Sequence, residues 1–292
     1  LVTVLVFFAT QAMPGDVAHV VLGTTATPSR VAQLRHQMGL DQPLLQQYWH
    51  WLSGVLRGDF GTSLANGQPV GSELVTRVEN TATLSVIAVV IILPLSLLLG
   101  MLTAQFKDSV FDRLFLGSSM IANALPDFII GTLLVMIFGT TLLHWFPPVS
   151  ITPGGESPWW HPSALVLPVG TLVIGGVMYL SRLIRVSFID AMGSEYIQMA
   201  QLKGLSARRV LLRHALPNAL APSIPAASLV AAFTVGGVVV VEYLFAYPGI
   251  GSLLVASISA RDLPVIQAVV LVIAVTYFLF NFLADIVPAG KQ

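Results

Sequence analysis

The residue whose position most demands a chemical explanation is Asp127, set in ANALPDFIIGTLL within a long apolar run. A carboxylate inside a lipid-compatible segment is costly, so by default it faces a solute pathway or a partner on another helix. It directly follows Pro126, whose ring removes a backbone donor and can kink the helix. Three readings stand open: contact with a cationic or hydrogen-bonding part of a passing solute, a hydrogen bond between helices, or a place higher in the membrane than the span boundaries suggest. Other reactive groups are sparse. Cysteine is absent, which excludes thiolate nucleophiles and disulfides. The six histidines, at 19, 36, 50, 144, 161 and 214, lack metal-ligand spacing, and neither GxSxG nor HExxH occurs. Lys107, Lys203 and Lys291 are followed by Asp108, Gly204 and Gln292, so none completes the phosphate-cradling GxxxxGK[ST] loop. No catalytic residue, cofactor or metal site is expected on this chain.

The second concentration of chemistry is EYIQMAQLKGLSARRVLLRHALPNAL, residues 195–220, which holds the densest basic cluster. A loop held on the positive side of a membrane is one explanation. The pattern carries more. Ser194 and Glu195 suit a helix start, Ile197, Ala200 and Leu202 can share an apolar face, and Gly204 is placed to end the helix in a left-handed cap. Ser206 can then cap a second helix that runs to a stop at Pro217. Two short helices meeting at a glycine make a knob with apolar residues at its tip, and such a knob needs a groove in a partner. A seated knob transmits a push to its flanking segments, whereas a disordered loop would absorb it.

The elements that must position these groups are transmembrane helices. Hydrophobic residues make up 55% of the 292 and charged ones 10%, with a mean hydropathy of +0.82, so a soluble fold is excluded in favour of an all-α integral membrane protein. The formal net charge is zero, which leaves no basic field for nucleic acid. Crossing the hydrocarbon takes about 20 mostly apolar residues. Residues 82–105, 114–138, 163–181, 221–241 and 264–287 qualify, and 1–13 reads as the outer part of a first span, giving six. Residues 14–81 read as a loop domain with short helices, one in SRVAQLRHQMGL between Ser29 as cap and Gly39 as stop, another from Pro43 to Leu56. Residues 82–292 form the membrane core, with the knob loop at about 188–220.

Placing that loop inside gathers Lys107, Arg113, Arg182, Arg185, Lys203, Arg208, Arg209, Arg213 and Lys291 there, and puts both termini in the cytoplasm. Pro222 and Pro225 would shape how knob motion enters the fifth span, where Gly236 and Gly237 offer a small-residue surface for close helix approach. No sequence repeat supports an inverted-repeat carrier.

These residues resemble a family. Glu195-Tyr196-Ile197, Ala200, Lys203-Gly204-Leu205-Ser206 and His214-Ala215-Leu216-Pro217-Asn218-Ala219 are similar to the EAA loop of membrane subunits in bacterial ABC importers of the dipeptide, oligopeptide and nickel group. Met13-Pro14-Gly15-Asp16, Gly39-Leu40-Asp41-Gln42-Pro43 with Gln47-Tyr48, and Gly58-Asp59-Phe60-Gly61 resemble the N-terminal half of the first permease subunit of that group. Glu242-Tyr243-Leu244-Phe245 with Tyr247-Pro248-Gly249-Ile250-Gly251, and Arg261-Asp262-Leu263-Pro264-Val265, resemble its later signatures. The resemblance covers essentially the whole chain. It implies the type I importer permease fold in a bacterial inner membrane, a second related permease, two cytoplasmic ATPase subunits that carry ATP and Mg, an extracytoplasmic binding protein, and di- or oligopeptides as cargo. It also implies a coupling role for Glu195, Ala200, Lys203, Gly204 and Leu205, and an outer signature at Glu242, Pro248, Gly249 and Gly251. Gln201 and Leu202 stand where the family usually has Arg and Ala, and Asp127 stands where it usually has an uncharged residue. For Asp127 the cationic partner would then be a peptide's amino terminus. Nickel or another small solute is the alternative cargo; a channel or secondary carrier is the alternative class, disfavoured because neither has use for a docked knob.

Overall fold

Inside lipid a backbone satisfies its polar groups only as a helix or a closed barrel, and a computed structural model of the chain takes the helical solution. The structure describes residues 2–11, 22, 26–37, 41–151, 156 and 158–289. Among them there is no strand, only one antiparallel bridge between Thr62 and Pro69. In chain order the helices are α1 (Val2–Gln11), α2 (Pro28–Gln37), α3 (Leu44–Leu56), α4 (Val70–Gln105), α5 (Val110–Ala124) and α6 (Asp127–Leu134), the last extended by a π-helical turn at Val135–Thr140. After them come α7 (Pro162–Met192), α8 (Glu195–Leu202), α9 (Ala207–Val210), α10 (Leu216–Leu220), α11 (Ser223–Leu244), α12 (Ile250–Ala260) and α13 (Leu263–Ala289). On length and hydropathy α4, α7 and α11 can each cross a membrane, and α5 with α6 passes the same test only as a bent pair, a broken span or a re-entrant loop. The expected first and last spans fall on α1 and on Leu263–Leu279 of α13, apolar helices shorter than a full crossing among the described residues. The protein is an all-α integral membrane protein.

Four expectations change. The span placed at 114–138 is two helices meeting at 109°. Proline disfavours helical geometry in the residue before it, and Leu125 (ψ 132°) and Pro126 (ψ 148°) are both extended. The span placed at 82–105 begins twelve residues earlier, at Val70, because Glu73, Arg77 and Glu79, which look like loop charges, lie on the same unbroken helix with Glu73 and Arg77 paired at 3.3 Å. The cap of α2 is Thr27, whose Oγ1 accepts from the Arg30 N–H at 3.4 Å, not Ser29. Pro217 does not stop its helix: a π-helical turn at Leu211–Ala215 precedes it, so that the Leu216 N–H reaches back to the Leu211 carbonyl and the widened turn admits the ring. The Gly39 stop and the Met13-Pro14-Gly15-Asp16 motif lie outside the described residues.

The chain forms two compact units, Leu1–Thr81 with Pro248–Thr276, and Ala82–Tyr247 with Tyr277–Gln292. In the first, α1 meets α3 through Phe7, whose ring lies edge-on to Tyr48 at 5.5 Å, and Val70, Leu74, Ile250, Leu253, Val265 and Val269 form the core. Asp262 is its polar staple: Ser63 Oγ and the backbone N–H groups of Leu64 (3.1 Å) and Ala65 (3.2 Å) donate to its carboxylate. In the second unit Leu84, Ala88, Ile92, Leu172, Leu180, Ile184, Val238, Val241 and Phe245 are the buried centre. Lipid tails are as apolar as these side chains, so association rests on close packing rather than on escape from water. Gly100 supplies it, since a Cβ there would lie 2.7 Å from Ile184 Cγ2 and 2.9 Å from the Ser181 carbonyl.

Candidate functional site

The knob begins where α7 ends. Ser194 has extended backbone (ψ 151°), and its hydroxyl donates to the Ala191 carbonyl instead of capping α8. Glu195 occupies the first turn of α8 and Lys203 its C-terminal cap, signs that suit the helix dipole. Gly204 has φ +74°, its N–H donates to Gln201 at 2.9 Å, and the Leu205 N–H donates to Ala200 at 3.3 Å. This pair of bonds is the Schellman closure, with Leu205 packing back into the cluster that holds Ala200. A non-glycine residue would be strained at that φ.

The expected single apolar face divides in two. Ile197 and Ala200 are buried with Phe188, Val210, Ala215 and Ala219, whereas Tyr196, Met199 and Leu202 are 43%, 54% and 83% exposed. The inner face anchors the knob on the end of α7 and on α9–α10. The outer face, three apolar residues at intervals of three, is left uncovered. Of the five expected coupling residues, Ala200 and Leu205 therefore hold the knob's shape, and Glu195, Lys203 and Gly204 are exposed.

Seven residues before the end of α7, Arg185 meets Asp112 of α5 in a fork: Nε donates to Oδ1 at 2.7 Å and a terminal nitrogen to Oδ2 at 2.6 Å. The carboxylate also accepts from the Asp108 N–H at 2.9 Å, and both side chains are largely buried. Sequence reading counted Arg185 only as an inside charge and missed Asp112. A partner 73 positions away leaves no local trace.

Asp127 is the first residue of α6, immediately beyond the bend. Its carboxylate lies against two glycines: a Cβ at Gly175 of α7 would be 3.3 Å from Oδ1, and one at Gly237 of α11 would be 2.9 Å from Oδ2. Gly236, by contrast, faces open space. Thus one glycine of the expected small-residue surface is spent on Asp127, within this chain. Along the helix axes, the bend before Asp127 comes about 22 Å from the start of α5, Gly175 lies about 25 Å from the end of α7, and Gly237 about 21 Å from the start of α11. The knob and Asp127 are not brought together; α7 runs from one to the other.

Glu242 is fully buried near the end of α11, and the Tyr247 N–H donates to its carbonyl at 2.8 Å. Burial, and then the charge of Glu242, push the Tyr247 phenol up. The remaining signature residues belong to the first unit, where the Pro248 carbonyl accepts from Asn80 Nδ2 at 2.8 Å, Gly249 precedes α12, and Gly251 is buried in its first turn.

A helical membrane bundle with a broken span and a rigid, apolar-tipped knob on one loop defines a class: the chain has the type I importer permease fold. It belongs to the family described as binding-protein-dependent transport system inner membrane component, matched over residues 96–289, with the N-terminal domain of the same membrane components matched over residues 1–85. It is 36% identical over 290 residues to the glutathione transport system permease protein GsiC of Salmonella typhimurium, a match covering 99% of this chain and 92% of that one. The GsiC protein of Escherichia coli strain K12 is 35% identical over the same coverage. Among solved structures, an amino acid ABC transporter with histidines shares the fold, with a TM-score of 0.56 over 75% of this chain and 94% of that one at 15% identity. The chain is an ABC importer permease subunit, a multi-pass protein of the inner membrane.

Proposed function

We propose that this subunit passes di- or oligopeptides into the cytoplasm by alternating access, driven by separate ATPase subunits that seat the α8 knob. The observation that carries the reading is the knob's division into a buried face, Ile197 and Ala200, and an exposed apolar face, Tyr196, Met199 and Leu202. The first makes the knob rigid with α7; the second is what a hydrophobic groove would cover. The partners are a second permease, two ATPases carrying ATP and Mg, and an extracytoplasmic binding protein, with the knob and both termini in the cytoplasm. Peptide as cargo is supported by the resemblance of the sequence to the dipeptide and oligopeptide group and by similarity to permeases of glutathione, itself a peptide.

The test is a pull-down of the tagged chain from native membranes in mild detergent, beside Met199→Glu with Leu202→Glu. Both positions are exposed, so the bundle is expected to survive. Loss of the ATPases alone, with the second permease retained, supports the reading. Retention of the ATPases by the double variant, or their absence from the unmodified complex even after cross-linking, rejects it.

A further inference from the structure

Resting on that reading, we propose that Asp127 is a cation-accepting station in the translocation path, where a carboxylate seated against the Gly175 and Gly237 backbones takes the ammonium group of a passing peptide. Three observations meet here. The carboxylate lies at the break of an apolar helix pair that is together long enough to cross a membrane, yet among the described residues no hydrogen bond or ion pair reaches it. Its two oxygens are seated against two glycines on different helices, where the Cβ of any other residue would crowd or displace them. It is half-buried rather than sealed, and so remains open to a ligand.

A structural carboxylate looks different in this same protein. Asp112 is enclosed and receives three donors. A charge kept in a membrane without such partners is expected to acquire one in use. Its place in the first turn of α6, where the helix dipole favours an anion, lets it persist meanwhile. The bend at Leu125-Pro126 sets this turn off the α5 axis and against α7 and α11. A primary ammonium fits: three donors on a compact cation, with carbonyl or carboxylate acceptors as its natural partners.

The test uses the complete importer in liposomes, with binding protein in excess. Uptake of a free-amine dipeptide and of its N-acetylated form are each normalised to the unsubstituted complex, so that selection by the binding protein cancels. Asp127→Asn is expected to lower free-amine uptake about tenfold or more, the worth of one charge-assisted hydrogen bond, while N-acetyl uptake and ATPase stimulation stay unchanged. Gly237→Ala should reproduce the effect by displacing Oδ2, and Asp127→Glu should restore part of it. An equal fall for both peptides, no fall for either, or loss of the second permease from the Asp127→Asn complex overturns the station; the last outcome would assign the carboxylate to a pair between subunits. If the unsubstituted complex binds ATPases but moves neither peptide, the peptide reading fails first and the station falls with it.

Discussion

Asp112 and Asp127 lie on the two arms of one bent helix pair, yet they are held in opposite ways. Asp112 is closed in by an arginine fork and a backbone donor, and its role is complete within the chain. Asp127 is faced by glycines and partnered by nothing among the described residues. The difference teaches that a charge within a span is not one category: the count of donors around it separates a brace from a group kept available.

The contrast is most exposed at Arg185. Arg185→Ala strands a buried carboxylate and is expected to cost about 3–5 kcal/mol, read as a large drop in thermal unfolding temperature in detergent. Asp127→Ala should leave that temperature unchanged or raise it, and an equal loss would abolish the distinction. Gly100→Ala asks whether packing beside the fork matters as the charges do. Its methyl would press on Ile184 and on the Ser181 carbonyl, and overpacking of this kind costs about 1–3 kcal/mol in the same assay. Gly204→Ala places a Cβ at φ +74° and should cost about 1–2 kcal/mol, visible as faster proteolysis of the knob loop while the unfolding temperature of the bundle is retained. The smallest effect belongs to Ser96 and Ser181, fully buried hydroxyls without a hydrogen-bond partner among the described residues. Replacing either with Ala removes a hydroxyl that makes no hydrogen bond here, so any loss of stability should stay below about 0.5 kcal/mol. A loss of several times that would mean that an unpaired polar group here has a partner in the assembled complex, and would weaken the reading of Asp127 too.

The knob was legible because its signals are local: a serine before a glutamate, an apolar pair three apart, and a glycine where the chain must turn left-handed. The apolar runs likewise announced helices. Pro126 announced a bend but not its size, since the ring removes one donor while the 109° angle depends on what α6 packs against. Pro217 misled for the complementary reason, because a π-helical turn has no sequence signature strong enough to warn that a proline will be absorbed. The start of α4 was hidden by its charges, which polar surroundings permit on a helix that outruns the membrane. Asp112 with Arg185, and Asp127 with Gly175 and Gly237, depend on helices meeting across long stretches of chain. Periodicity within one segment cannot report them.

The arginine fork also sets a mechanical ratio. If Arg185 is the fixed point of α7, the helix is a lever with a short arm of about 10 Å to the knob and a longer one of about 15 Å to Gly175, at 1.5 Å per residue. A tilt that carries the knob one way carries the Gly175 level the other way, by roughly half as much again. On that premise the two ends of one rod move in opposition, with the larger stroke delivered beside Asp127.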